Sequence, residues 1–262
     1  MFTALKDAWI EHHLMVHAGA VAFRVLISLV PLVLLALGLL GALGLDDVWT
    51  DSIAPEIQDR VTAPVFTAID FSVDQIFASS SAGLIAFASL LLLWELSRAV
   101  RVIMVAFNEI HEVEEHRSWR QLLAVTVALA AAIGLALVAS MLVVTVLPRL
   151  VEGGLAHAGL TVVAWGVAVL LLGLATGLLV RYAPAERPQP RWASYGSALV
   201  VGTWVVASLA FGWYAGSVAN YETAVGTLLV FLLLTAYTLV SSAILLLGVL
   251  VDERARWEAG EK

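Results

Sequence analysis

Between residues 82 and 112 an apolar run is interrupted by residues that could do chemistry: Trp94, Glu95, Arg98, Arg101 and Asn108. Trp94, Arg98, Arg101, Val105, Asn108 and Glu112 follow one another at spacings of 4, 3, 4, 3 and 4. At about 100° per residue they keep to one stripe of a helix. Arginines on such a stripe suit phosphate or carboxylate binding, because the guanidinium fork donates two parallel hydrogen bonds. The stripe is expected to face into a helix bundle. Arg98 lies about 15 Å above Asn108 at 1.5 Å per residue, and its long side chain can carry charge back toward an interface. The plainer role for these arginines is to tie helices together.

Two further sites belong to the same reading. Arg24, Ser28 and Pro31 share a helix face at spacings of 4 and 3, and a mid-helix proline removes a backbone hydrogen bond and commonly kinks the helix. Glu95 is the only acid deep in an apolar run. It can pair with Arg98 at i,i+3, with Arg24 from another helix, or serve as a proton-coupling carboxylate. Arg24, Ser28, Pro31, Glu95, Arg98, Arg101 and Asn108 together are the candidate substrate path.

Other chemistries find little support. His111 and His116 stand five apart, unlike the i,i+4 pair of an H-E-x-x-H zinc site. His13 and His17 could share a face, but Glu11 would point away from it. No metal and no cofactor is expected. The chain has no cysteine, which removes thiolate ligands and cysteine nucleophiles. No Walker loop, nucleophile elbow or dinucleotide fingerprint is present. A net charge of −7 argues against nucleic acid as a partner. With no nucleophile–base pair in view, the chain is not expected to be an enzyme.

The elements that must position these residues are set by hydropathy. Apolar residues make up 61% of the chain and charged residues 13%, about half the charge of an ordinary soluble domain. Mean hydropathy is +0.94. The apolar runs match a hydrocarbon slab of about 30 Å. The fold class is therefore all-α: a polytopic membrane helix bundle with about six spans, near 18–44, 82–108, 121–148, 157–182, 194–218 and 225–251. Residues 1–262 read as a single transmembrane domain. The first run is too long for a signal-peptide core and is read as a retained helix.

Positive charge orients the bundle. Lys6, Arg117, Arg120, Arg181, Arg187, Arg191, Arg254, Arg256 and Lys262 fall on one side, and Arg60 and Arg149 on the other. The first side is expected to be cytoplasmic, with both termini there, in a cytoplasmic-type (inner) cell membrane. Trp9, Trp119, Trp192 and Trp257 then mark one interface, and Trp49 and Trp213 the other. The outer connection 46–81 holds Asp46, Asp47, Asp51, Glu56, Asp59, Asp70 and Asp74. Ile53, Ile57, Val61, Val65, Ile69 and Val73 recur every four residues there, with Ile76 three later. One or two amphipathic helices, broken near Pro55 and Pro64, are expected as a cap over helix ends or a gate over a cavity. Gly166, Gly173 and Gly177, and the pair Gly212 and Gly216, are expected to be packing positions.

Several stretches resemble the YihY/BrkB membrane protein family: AVAFRVLISLVPLVLL in the first span, LLWELSRAVRVIMVAFNEIHEVEEHRSWRQ from the second span onward, VRYAPAERPQPRWASYGSALVVGTW, and NYETAVGTLLVFLLLTAYTLVSSAILLLGVLVDE at the end. The matching residues are Ser28, Pro31, Trp94, Ser97, Arg98, Asn108, Arg117, Pro184, Gly196, Trp204, Asn220, Tyr221, Gly226 and Gly248. The resemblance implies six helices in an inner membrane. Members long carried the label ribonuclease BN, generally regarded as a misassignment, and some are linked to envelope lipid handling. Arg24 stands where an aromatic is usual and Glu95 where a small residue is usual, so the two could compensate each other. Leu250 takes the place of a frequent acid, with Asp252 and Glu253 just beyond.

The expected function is a transporter or flippase-like handler of a lipid or other anionic amphiphile, along a groove lined by the first and second spans. The alternative is a non-transporting envelope scaffold or assembly factor. The expected partners are membrane lipids and a second copy or another envelope protein. Ribonuclease activity lacks the residues it would need.

Overall fold

The computed structural model describes residues 2–58, 61, 63–79, 82–151, 153–185, 195–217 and 224–258. Asp59, Arg60, Arg187, Arg191, Trp192, Asn220, Tyr221 and Lys262 lie outside the described residues, as do the side chains of Lys6, Arg256 and Trp257 and the surroundings of Gly226. The described chain is helical, without a strand. The helices are α1 (Phe2–Glu11), α2 (Leu14–Ala42), α3 (Ala54–Gln58), α4 (Ala63–Ala78), α5 (Ala82–Ile110), α6 (Trp119–Val146), α7 (Gly154–Tyr182), α8 (Tyr195–Ser217) and α9 (Ala224–Glu258).

Every expected span is a helix. Leu14–Ala42, Trp119–Leu150, Gly154–Tyr182 and Phe231–Ala255 are each long and apolar enough to cross a membrane, and α4 with α5 makes a fifth candidate. The described apolar part of α8, Leu199–Tyr214, is shorter. The protein is thus a multi-pass membrane helix bundle. Apolar helices suit this setting because each satisfies its own backbone hydrogen bonds.

Local sequence explains the helix ends. His13 takes a left-handed conformation between α1 and α2. The α2 helix stays continuous through Pro31, which is buried within it. It closes at Gly44, whose φ of +67° suits glycine. There Leu45 N–H donates to Leu40 and Gly44 N–H to Gly41, the paired bonds of a Schellman stop. Ser118 and Gln121 form a reciprocal capping box that starts α6.

The helices pack as a row. α7 packs on α6, α6 on α5, α5 on α2, α2 on α9 and α9 on α8, while α5 also touches α9. The core sits where α5 meets its neighbours: Leu14, Val100, Met104, Phe107, Leu246 and Leu250 are almost fully buried. Of the expected packing glycines, Gly216 lies outside the residues whose packing is described, and the other four make no close approach to described residues. A Cβ added at Gly166, Gly173, Gly177 or Gly212 would meet nothing within 4 Å. The close approach lies at Gly196 and Gly248 instead, where a Cβ on Gly196 would fall 2.1 Å from the Gly248 carbonyl oxygen. Only glycine lets α8 and α9 come so near.

The acidic connection is a cap on the end of α2. Val73 and Trp49 bury against Leu37, flanked by Ile57, Phe66, Ile69, Ile76 and Phe77. Pro55 and Pro64 stand in the first turns of α3 and α4, where a missing N–H costs nothing. Trp49 is only 4% exposed, and its indole N–H donates to Asp70 at 2.9 Å. It is therefore a core residue of the cap and not part of an aromatic belt. Arg149, in the turn before α7, pairs with Asp47 and ties the cap to the α6–α7 connection.

Candidate functional site

Near the middle of α5, Glu95 is 9% exposed at the contact with α2. It stands between two arginines. Arg98 Nη1 is 3.6 Å from its Oε1, and Arg24 Nη1 of α2 is 4.0 Å from its Oε2. Both expected partners are therefore present, and the two helices do bring Arg24 and Glu95 together. Neither contact is a close hydrogen bond, and Glu95 Oε2 has no hydrogen-bond partner. Ser28 is buried, one turn beyond Arg24, and donates to its own helix at Val25 at 2.7 Å. Ser97 does the same to Leu93. Two guanidiniums around one carboxylate leave a formal charge of +1 inside an apolar slab.

The arginine stripe does not face the interior. Trp94 is 63% exposed, the Arg98 side chain is 47% exposed, and Arg101 and Val105 are exposed too. The buried face of α5 carries Leu92, Glu95, Leu96, Ala99, Val100, Ile103 and Met104. The stripe lies across the helix from that face because the apolar residues are the larger set and claim the packing. Arg98 and Arg101 thus lie on an open flank of α5, whereas Arg24 and Glu95 meet at the α2–α5 contact. Arg98 and Arg101 therefore do not point into a groove between the first two spans.

Asn108 belongs to a different structure at the end of α5. Its Nδ2 donates to Glu115 Oε2 at 3.1 Å, and its Oδ1 accepts from the Ala185 N–H at 2.7 Å. Arg117 donates to both Glu115 oxygens, at 2.7 and 2.8 Å, and to the carbonyls of Tyr182 and Ala183. This clamp joins α5, the 111–118 connection and the end of α7. Arg117's hydrogen bonds hold the Glu115 carboxyl below the usual carboxylate range, with Asn108 adding to the effect against some burial. Among the candidate path residues, Asn108 is thus engaged with other segments, while Ser28 is engaged only within its own helix.

Two histidines lock the same end. His17 of α2 meets Glu109 at 2.6 Å, and His111 meets Glu253 of α9 at 2.6 Å. Among the described residues no group of three or more His, Asp or Glu side chains converges on a metal position. The clamp acids Glu109, Glu115 and Glu253 escape sequence reasoning because each pairs with a residue of another segment or across a turn. The Ser118–Gln121 spacing was the one available signal, since it fixes where the connection turns into α6.

The family described as virulence factor BrkB matches residues 5–261. The chain belongs to the BrkB family. It is 24% identical over 243 residues to the putative ribonuclease-like protein YfkH of Bacillus subtilis (strain 168), covering 88% of this chain and 86% of that one. No solved structure matches it. Residues that carry the BrkB resemblance fall in structural places. Asn108, Arg117 and the buried Pro184 meet at the clamp. Gly196 and Gly248 form the α8–α9 crossing. Trp204 donates to the Ser241 carbonyl across the same helix pair at 3.0 Å. In this BrkB chain Leu250 is buried, Asp252 accepts from the Gly196 N–H at 2.7 Å, and Glu253 pairs with His111. The acids beyond Leu250 thus fasten α9 to α8 and α5.

Proposed function

We propose that this BrkB-family protein translocates the headgroup of an anionic lipid, or of a like amphiphile, along the open flank of α5. The observation that carries the reading is the pair Arg98 and Arg101 on an exposed helix face inside the apolar slab, with Glu95 the one carboxylate paired with Arg98 among the described residues. Arg98 lies about 18 Å from the Ile110 end of α5 at 1.5 Å per residue, well inside a slab of about 30 Å. A charge at helix mid-depth costs about 2.5–3.5 kcal/mol on insertion scales. An anionic headgroup at the flank would offset that cost and accept from both guanidiniums. Acyl chains could stay in the bilayer throughout, so no closed pore is needed. Arg24 would hold Glu95 while Arg98 exchanges between the carboxylate and the passing headgroup.

The protein would sit in a cytoplasmic-type membrane with both termini cytoplasmic, following its positive charges. A non-enzymatic role is part of the reading. The ribonuclease-like label belongs to the relative, and hydrolysis of a polyanion would ask for metal-binding carboxylates and a basic surface. A second reading, an envelope scaffold, is favoured by the open glycine face of α7, which would admit another helix closely.

The test is translocation in liposomes, using a headgroup-labelled anionic lipid and a membrane-impermeant quencher. Protein-dependent loss of the protected signal is expected, absent from empty vesicles and from folded Arg98→Ala. No difference from empty vesicles across several headgroups would end the translocation reading and leave the scaffold.

A further inference from the structure

The flank of α6 beside the arginines is not smooth. It carries a shallow, wide-open groove with about 590 Å³ of space over it, lined by residues of α6 alone. Trp119 and Arg120 stand at one end, Leu123 and Val127 along it, and Ala124, Ala128 and Ala131 make its floor. The Arg120 guanidinium lies 5.7 Å from the Trp119 ring centre, and Trp119 is 69% exposed. No carboxylate lines the groove. From Arg120 to Ala131 is about 16 Å at 1.5 Å per residue, half of a slab of about 30 Å. The groove therefore has the length of one leaflet, a cation and an amphipathic ring at its polar end, and an apolar floor.

Its position relative to α5 follows from two contacts. Thr126 reaches Met104, and Gly134 abuts Leu96, so α5 and α6 run antiparallel in that register. At about 100° per residue, Arg98 and Arg101 lie about 130° round α5 from this contact line, and the groove lies about 100° round α6 in the same rotational sense. On antiparallel helices, equal senses bring both faces to one side of the row. The same register sets Ala131 level with Ala99, between Arg98 and Arg101.

We propose that the α6 groove binds one anionic phospholipid of the surrounding membrane, its phosphate on Arg120 and one acyl chain along the alanine floor. This is the uptake position for translocation, and in that purpose it rests on the reading above; the binding itself stands on the groove alone. A phospholipid fits better than a second copy of the chain. A two-fold contact through this face would set Arg120 against its own symmetry mate, with no acid in the groove to separate them. A phosphate supplies the missing negative charge, and Trp119 suits the headgroup level. The bound lipid's headgroup would then have Arg101 and Arg98 above it on a continuous face.

The test is native mass spectrometry of the full-length protein in detergent, with phosphatidylglycerol or phosphatidylcholine added. One phosphatidylglycerol should be retained. Arg120→Ala should reduce its retention about fivefold, as expected for one interfacial charge contact, while phosphatidylcholine stays unchanged. Arg120→Lys should retain phosphatidylglycerol and control for folding, and Ala128→Trp should fill the groove and lower retention of both lipids. Equal phosphatidylglycerol retention by the wild type, Arg120→Ala and Ala128→Trp would overturn the proposal. So would a lipid-free dimer that Ala128→Trp splits. Arg98→Ala should leave retention unchanged, which separates the two readings. Retention that follows Arg120 without translocation leaves the groove and removes the pathway; translocation with retention indifferent to Arg120 removes the groove alone.

Discussion

Two stretches of α5, a few turns apart, treat polar side chains in opposite ways. At the Ile110 end, Asn108, Glu109 and His111 each meet a partner from another segment at 2.6–3.1 Å. Arg117 spends its guanidinium on Glu115 and two carbonyls. In the middle of the helix, Glu95 is buried but held only at 3.6 and 4.0 Å, with one oxygen unbonded, while Arg98 and Arg101 stand exposed. Satisfied polar groups add rigidity and little else, because their donors have no capacity left for a ligand. Under-used donors in an apolar slab are costly to keep. The end of α5 is thus a fastener, and its middle holds charged groups that the fold leaves under-used.

The contrast can be broken or sharpened by substitution. The largest effect is expected away from any polar group, at the α8–α9 crossing. Gly196→Ala sets a Cβ against the Gly248 carbonyl oxygen, which cannot move without shifting a helix. A loss of about 3 kcal/mol is expected, the upper part of the overpacking range, seen as a lower thermal midpoint in detergent. Next comes the fastener. Arg117→Ala leaves Glu115 and two carbonyls without their donor, and should cost about 2 kcal/mol by the same measurement.

Acid tests the fastener separately. Glu115 has a lowered folded pKa, so its stabilisation is fully present above the ordinary carboxylate range. It is lost as pH falls through the lowered folded value. A thermal midpoint that drops over that acidic window in the wild type, but less in Glu115→Gln, is the expected outcome. Equal acid sensitivity in the two proteins would detach Glu115 from the clamp's stability.

Arg98→Ala should change stability by about 1 kcal/mol or less. Removing a charge from the slab relieves an insertion cost, which offsets Glu95's loss of a partner. The same variant should lose translocation. If it instead unfolds as readily as Arg117→Ala, the middle of α5 is a second fastener and the contrast fails. The smallest effect belongs to Gly173→Ala. With nothing near its Cβ position, the substitution should be neutral or stabilising by about 0.5–1 kcal/mol from helix propensity. A clear loss, together with a shift in oligomeric state, would place a partner on that face of α7.

The sequence was legible wherever one segment carried the information. Apolar runs placed all six long helices, because a lipid-facing helix must be apolar nearly all round. Pro55 and Pro64 marked the cap's helices, and Ile57, Ile69, Val73 and Ile76 of the four-residue ladder lie on its buried side, while Ile53 at its start is exposed. It misled where a choice between faces was involved. The period of 3.6 shows that Trp94, Arg98 and Arg101 share a face but does not say what that face meets. The same holds for glycines. Gly166 and Gly173 look like packing positions by spacing, yet Gly196 and Gly248, from different helices, make the contact.

By itself, then, the sequence determined that this chain is a bundle of membrane helices and which residues share each helix face. Those properties depend on transfer of single segments into hydrocarbon and on local backbone geometry. Only the tertiary structure decided that Glu95 lies between Arg24 and Arg98, that Asn108 closes a clamp with Glu115 and Arg117, and that the arginine stripe lies open beside an α6 groove. Each of these joins residues far apart in the chain or sets which way a helix turns. Helix rotation about its own axis is chosen by the summed packing of all its neighbours, and no one segment encodes it.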